Sequence, residues 1–365
     1  MHALGPLPDS EAPPVARPEI GDPAPPFALG DQSGERIDLA DDSRAGRPTL
    51  LLFLADPEAE GTRTALGGVQ AALPAIRSTG AQVVALTTGL ADQVKALAGD
   101  LGLDFPLLAD LSGEVFERYG LVGADGVLDP ELAACLVVRG NGHLMARIEG
   151  ADEESREQVL AHLRAEASLR ATRTMSHHPP ILLVPDVLSR EDCQRLIGTF
   201  LMEGNVWVEP GHGDKGMTSD YKMRIPEYGR RDRVDHWVIN AKTRDFISKR
   251  LKERLFPEIE KAFHYKITKA ETYRIGCYEG ERGGELHGHR DNSSAMGAHR
   301  RFACSINLNS EEFEGGAIRF PEFGDQRYRP DTGVAFTFSS SLLHEPLPVT
   351  AGRRFVLLAF LFGDS

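Results

Sequence analysis

Residues 344–354 read His344-Glu345-Pro346-Leu347-Pro348-Val349-Thr350-Ala351-Gly352-Arg353-Arg354. The segment follows a β-prone run at residues 334–338 and carries an imidazole at one end and two guanidinium groups at the other, Arg354 standing ten positions after His344 (354 − 344). A guanidinium grips a carboxylate through two parallel charge-assisted hydrogen bonds, so an arginine here suits the anchoring of an acid. Arg353 and Arg354 would point to opposite faces of a strand, and one of them at most shares the face of a given site.

Upstream, His289-Arg290-Asp291 lies beyond the strand-like residues 271–277. Two residues that alternate on a strand point to the same face, so His289 and Asp291 are expected to approach one metal together. His344 supplies a third donor. Two histidines and a carboxylate occupy one face of an octahedron and leave three positions open, an arrangement that suits non-haem Fe(II) binding a bidentate oxo acid and dioxygen. The H-x-D triplet alone carries little weight; an arginine placed to hold an acid near it gives it meaning. His287-Gly288-His289 offers a further histidine, but no glutamate follows at cupin spacing, and His287 is expected to support the ligands or face the substrate.

Around these motifs the chain changes character several times. From residue 270 onward short strands dominate, preceded by helical patterns after Ser189, a plausible N-cap, and over residues 243–263. Helices leading into an all-strand region imply a helix-supported β-sandwich or barrel. Between them a polar stretch, residues 205–235, holds Arg224, Arg230, Arg231 and Arg233 with Trp207 and Trp237 near its ends. It reads as a solvated loop or as a lid that recognises an acidic or peptide substrate.

Residues 23–170 alternate instead. Strand-like runs at 50–54, 83–87, 105–108, 135–138 and 145–148 are separated by helical stretches including 91–101 and 112–119, the pattern of an α/β layer fold. Val159, Leu160, Leu163 and Ala167 mark one face of a closing helix. The proline-rich residues 1–19 read as a disordered leader, and His177-His178-Pro179-Pro180 ends a linker at 169–180 in which the two histidines are solvated spacers.

A formal net charge of −13 disfavours nucleic acid and anionic membrane surfaces, and no apolar run is long enough to span a bilayer. A cytoplasmic location is expected. Cys135, Cys193, Cys277 and Cys304 form no C-x-x-C pair and read as buried thiols.

Residues 181–365 resemble the prolyl 4-hydroxylase-like group of 2-oxoglutarate/Fe(II)-dependent dioxygenases. The likeness rests on the H-x-x-x-P-V-x-x-G-x-R pattern ending at Arg354, on Leu308-Asn309, on residues 315–321 and on Pro330-Asp331-Thr332-Gly333. It implies a double-stranded β-helix (jelly-roll) with supporting helices, iron on His289, Asp291 and His344, and 2-oxoglutarate on Arg354 with Tyr278 beside it. Arg353 is the second choice, and Asn307 stands where some relatives carry a second tyrosine. Ascorbate is an auxiliary reductant in this reading. The carboxylate Asp291 implies hydroxylation of an unactivated C–H bond, as halogenating relatives lack it. The substrate would be a prolyl or other amino-acid residue in a protein or peptide, or a small molecule, and succinate and CO2 would be released.

Residues 20–168 resemble the peroxiredoxin branch of the thioredoxin fold, through residues 21–27, 50–54 and 135–142. Ala55, Ala59 and Thr62 occupy the proline, threonine and cysteine places of the family's P-x-x-x-T-x-x-C pattern, and Ala133 lies where an arginine would stand. A threonine hydroxyl cannot replace a thiolate at neutral pH, so this thioredoxin-like α/β domain is expected to be non-catalytic and to dock a partner or form a homodimer. Two alternatives stay open: a wholly non-catalytic binding or sensing module, and a thiol peroxidase using Cys135 fused to an oxygenase.

Overall fold

The computed structural model describes residues 17–123, 126–169, 174, 177–203, 233–280 and 288–364. Residues 1–16 of the leader, residues 170–173, 175 and 176 of the linker and residues 205–232 of the polar stretch lie outside the described residues, as do Trp207, Arg224, Arg230 and Arg231 of the lid reading and the expectation for His287. By its contacts the chain divides into two compact units, the second beginning at Thr174.

The first unit opens with a hairpin, β1 (Ala28–Gly30) and β2 (Arg36–Asp38), and is built on a five-stranded sheet of β3 (Thr49–Leu54), β4 (Gln82–Thr87), β5 (Leu107–Ala109), β6 (Ala133–Val138) and β7 (Leu144–Glu149). Its order is β5-β4-β3-β6-β7, with β3, β4 and β5 parallel and the last two antiparallel. Because β3 is central, both its faces are covered: Leu50, Leu52 and Leu54 enter one core cluster and Leu51 and Phe53 the other. Helices α1 (Glu60–Ser78), α2 (Ala91–Leu101), α3 (Glu114–Arg118) and α4 (Glu153–Leu169) accompany the sheet. This is a thioredoxin fold. Helix α1 buries Thr62, Leu66, Val69, Leu73 and Ile76 along one stripe although its sequence holds Gly61, Gly67, Gly68 and Pro74, residues that obscure a helical pattern.

In the second unit β8 (Ile181–Val184) precedes α5 (Arg190–Glu203), whose start is closed reciprocally: Asp192 N donates to Ser189 Oγ at 3.0 Å and Ser189 N to Asp192 Oδ2 at 3.2 Å. After β9 (Val234–Trp237), the helical pattern over 243–263 is two helices, α6 (Ala241–Arg254) capped by Asn240 and α7 (Phe256–Phe263), because Pro257 suits the first turn of a new helix and cannot continue the old one. The strands β10 (Lys269–Ala270), β11 (Arg274–Glu279), β12 (Phe302–Asn307), β13 (Phe313–Gly315), β14 (Ile318–Arg319), β15 (Arg327–Tyr328), β16 (Ala335–Ser339), β17 (Glu345–Pro346) and β18 (Val349–Phe362) follow.

All strand pairings among the described residues of this unit are antiparallel. The major sheet runs β8-β16-β12-β18-β11-β9, with β10 and β13 also on β18, and a minor sheet runs β15-β14-β17. Alternation sorts the major sheet: Phe355, Leu357, Ala359 and Leu361 of β18 join Ile275, Cys277, Cys304 and Ile306 and the helices in one core. The opposite face therefore carries Arg354, Val356, Leu358 and Phe360, with Tyr278 of β11 in register with Arg354 and Asn307 of β12 with Val356. A smaller aromatic cluster, Phe320, Phe336 and Phe338, fills part of that face. His177 and His178 are exposed, as expected of spacers, yet their rings lie 5.6 Å from Phe323 and 5.7 Å from Tyr328, alongside the minor sheet.

The turn before β16 depends on Gly333, whose φ is +80° and whose added Cβ would fall on the Leu188 carbonyl oxygen. Gly333→Ala is expected to cost about 2–4 kcal/mol. Urea unfolding followed by tryptophan fluorescence reads the second unit, since Trp207 and Trp237 are the chain's two tryptophans and both follow Thr174. An unchanged midpoint would show that the turn relaxes freely.

Candidate metal centre

His289, Asp291 and His344 come together: one ligand atom from each lies within 4.8 Å of the others. Asp291 Oδ1 is 3.6 Å from His289 Nε2 and its Oδ2 is 3.6 Å from His344 Nε2. The local structure differs from the strand expected for residues 289–291. His289 forms a single isolated bridge with His344, donating N–H to its carbonyl at 3.0 Å and accepting from its N–H at 3.1 Å, and Asp291 begins a turn. The Asp291 N–H then donates to Ser340 O at 3.0 Å. Convergence arises because the ligand segments pair directly across the end of the minor sheet.

The donor set fits a hard or borderline divalent ion. His344 is buried, and its Nδ1 lies 3.1 Å from Leu342 O, so Nδ1 carries the proton and Nε2 is the free lone pair. Burial pushes the His344 pKa down, against the opposing pull of Asp291, and favours the neutral imidazole that binds metal. Burial of Asp291 resists ionisation, but the hydrogen bond to His289 and the charges of His344, His289 and Arg300 outweigh it and hold the carboxyl below its usual range. Cis ligands on bonds of about 2.1 Å stand about 3 Å apart, so the three side chains need only close in slightly. His289, the most accessible of them, has its side chain 43% exposed.

Two residues that the sequence did not single out hold this corner. Arg300 Nη1 donates to the Asp291 carbonyl at 3.1 Å, and the buried Glu271 receives Arg300 Nε at 2.6 Å and Nη2 at 2.9 Å. The Arg300 guanidinium lies 3.8 Å from the Phe360 ring centroid. Arg300 stands nine positions after Asp291 at the far end of the same turn-rich segment, and Glu271 reaches it from the residues before β11.

Arg354 is 3% exposed. Its Nε donates to Asn307 Oδ1 at 2.9 Å and its Nη2 to Ser305 Oγ at 3.5 Å, and its guanidinium carbon is 5.2 Å from the Tyr278 ring centroid. Asn307 is fixed in turn by donating to Pro330 O at 2.9 Å. Among the described residues no carboxylate pairs with Arg354, and burial pushes its pKa below the ordinary arginine value. An unpaired guanidinium in such a place awaits an anion. Gly316 makes room for it, since a Cβ there would come 3.0 Å from Arg354 Cδ. Arg353 is 62% exposed and lies 3.4 Å from Glu279, on the other face.

In the first unit Thr62 is buried near the start of α1 and its hydroxyl donates to Asp56 O at 2.6 Å. Cys135 is fully buried in β6, and burial pushes its thiol up to about 12. Burial does the same at Cys193 and Cys304, each raised to about 12, and Cys277 is also buried. A thiol reagent at pH 8 is expected to label less than one cysteine per native chain and all four in denaturant; fast native labelling of Cys135 would revive the peroxidase alternative.

Residues 20–146 match the family model described as the AhpC/TSA family, and residues 273–362 match the 2OG-Fe(II) oxygenase superfamily. The chain thus carries an N-terminal AhpC/TSA peroxiredoxin-like domain and a C-terminal 2OG-Fe(II) oxygenase domain. Over 105 residues it is 29% identical to Peroxiredoxin Bcp of Escherichia coli K12, covering 29% of this chain. The chain spans 66%, just under two thirds, of the length of that relative. Among solved structures it is similar to peroxidoxin BcpB of Mycobacterium tuberculosis, with a TM-score of 0.37, 23% identity, and coverage of 40% of this chain and 97% of that one. Bacterioferritin comigratory protein of Xanthomonas campestris gives a TM-score of 0.35 and 18% identity over 39% of this chain and 92% of its own. Among the described residues no helix is long and apolar enough to cross a membrane.

Proposed function

We propose that this protein is a 2-oxoglutarate- and Fe(II)-dependent dioxygenase that hydroxylates an unactivated C–H bond, with His289, Asp291 and His344 as iron ligands and Arg354 and Tyr278 holding the co-substrate. The observation that carries this reading is the pairing of a two-histidine, one-carboxylate cluster with a buried arginine that has no carboxylate partner among the described residues, inside a 2OG-Fe(II) oxygenase domain. Iron with 2-oxoglutarate would supply the oxidant for the C–H bond, releasing succinate and CO2. The protein's own contributions are geometric and electrostatic. Asp291 would bring one negative charge to the metal and the two imidazoles would bind it as neutral donors, a set that would leave room for co-substrate and dioxygen. Arg354 holds the distal carboxylate in a dry setting where Asn307 and Ser305 fix its orientation. Phe338 and Phe320, whose rings lie 4.8 Å and 6.5 Å from that of His344, and Phe336 packed behind them keep water from that side.

The substrate, a prolyl or other amino-acid residue in a protein or peptide or else a small molecule, is part of this proposal and rests on the resemblance carried by the 344–354 pattern with Leu308-Asn309, residues 315–321 and residues 330–333. The first domain, lacking a cysteine at residue 62, would dock a partner or a second copy of the chain. Ascorbate would serve as an auxiliary reductant, and the acidic chain would act in the cytoplasm on neither nucleic acid nor membrane. Incubation of the iron-loaded full chain with cell lysate and 2-oxoglutarate, followed by mass spectrometry, should find a gain of one oxygen on a defined substrate and stoichiometric succinate; succinate formation that no candidate substrate stimulates would count against hydroxylation.

A further inference from the structure

Arg233 and Asp235 stand on the same face of the major sheet as Arg354 and have no part in the metal centre. Asp235, on β9, is in register with Gly276 of β11, and Tyr278, two residues further along β11, is in register with Arg354. Asp235 is buried, and its two oxygens take both sides of the Arg233 fork: Oδ1 lies 2.6 Å from Nε and Oδ2 receives Nη2 at 2.8 Å. The remaining nitrogen, Nη1, donates to the Tyr278 hydroxyl at 3.3 Å. Gly276 makes space for the pair, since a Cβ there would meet Arg233 Cδ at 3.0 Å and Asp235 Oδ1 at 3.1 Å. The Tyr278 ring is bracketed by two guanidiniums, with Arg233 at 5.8 Å and Arg354 at 5.2 Å from its centroid.

The direction of one hydrogen bond decides the role. Arginine has only donors, so at the Arg233–Tyr278 contact the phenol oxygen must accept. Its proton is then directed elsewhere, and the positive charge beside the oxygen makes it a stronger donor. Arg354, also donor-only, cannot receive that proton. An anion held by Arg354 can.

We infer that Asp235 and Arg233 are positioning residues that turn and polarise the Tyr278 hydroxyl so that it donates to the same carboxylate Arg354 holds. This inference rests on the functional reading above and adds to it a specificity device for a dicarboxylate co-substrate. Arg233 acts through the tyrosine and does not itself touch the acid.

The test is a double-mutant cycle on the full chain loaded with Mn(II), titrating 2-oxoglutarate calorimetrically, so that binding is read without turnover. R233Q is expected to weaken binding about three- to tenfold in the otherwise wild-type protein, in line with the loss of one hydrogen bond, and to change it less than about twofold in the Y278F background. D235N, which keeps the shape of the pair and removes its charge, should reproduce the pattern and serves in place of R233Q if that variant does not fold. Equal losses in both backgrounds would mean that Arg233 contacts the acid directly, and no loss in either would mean that the pair is purely structural; each result overturns the inference and leaves the oxygenase reading standing. Absence of any 2-oxoglutarate binding to the wild-type Mn(II) protein would overturn both.

Discussion

His344→Ala is expected to remove the weak visible charge-transfer absorption that develops when the anaerobic Fe(II)-loaded protein receives 2-oxoglutarate, and to cut 2-oxoglutarate consumption by more than about a hundredfold. Disturbing only a supporting hydrogen bond to a metal ligand costs on the order of ten- to a hundredfold in metal affinity or activity, so loss of a ligand should cost more. His344 is the most demanding of the three to replace. It is buried, its tautomer is set by Leu342 O, and its backbone is half of the bridge that positions His289. Alanine preserves that bridge, so the variant isolates the imidazole. Absorption that persists in His344→Ala would place the metal elsewhere and sink the proposed triad.

Arg354→Met tests the other half of the site and should separate function from stability. Two charge-assisted hydrogen bonds to a carboxylate, lost in a dry setting, are worth roughly 3–5 kcal/mol, or on the order of a hundredfold or more in affinity for 2-oxoglutarate. The effect belongs mainly in KM for the co-substrate, since the anchor grips the ground state as well as the transition state. A structural arginine would be destabilised by the same change. Here burial opposes the charge and no carboxylate repays it among the described residues, so replacing it with an apolar side chain of similar length removes a cost of several kcal/mol and loses hydrogen bonds worth about 1 kcal/mol each. The urea midpoint should stay level or rise while KM climbs. A large fall in stability with KM unchanged would assign Arg354 to the core.

The same logic shows which parts of the molecule were legible before folding. Strand-like runs at 50–54 and 135–138 announced the first sheet because a central strand buried on both faces is apolar at nearly every position. Helix α1 was hidden by three glycines and Pro74, which its packing against the sheet overrides. His289 with Asp291, and His344 with Arg354, stand out because each pair has a short, defined spacing, and the family resemblance joins the two pairs into one set. Their convergence does not come from strand alternation, as residues 289–291 form a bridge and a turn. Glu271, Arg300 and Asp235 carry no motif, since the first two meet through a side-chain ion pair across 29 positions and Asp235 is placed by the pairing of β9 with β11. In the sequence Asn307 is only a departure from a tyrosine, and its hold on Arg354 follows from the register of β12 on β18.

Strand β18 carries Arg354, sits between β12 and β11, and also borders β10 and β13. In order of synthesis it is the final strand of its sheet, and in space it is a central one. A nascent chain therefore finishes the thioredoxin-like unit early, while β11 and β12 wait with open edges until residues 349–362 leave the ribosome. Translation that stalls before Val349 leaves β12, held on its other side by β16, and β11, held on its other side by β9, each with one open edge, and the most available partners for those edges are the same strands of another unfinished copy.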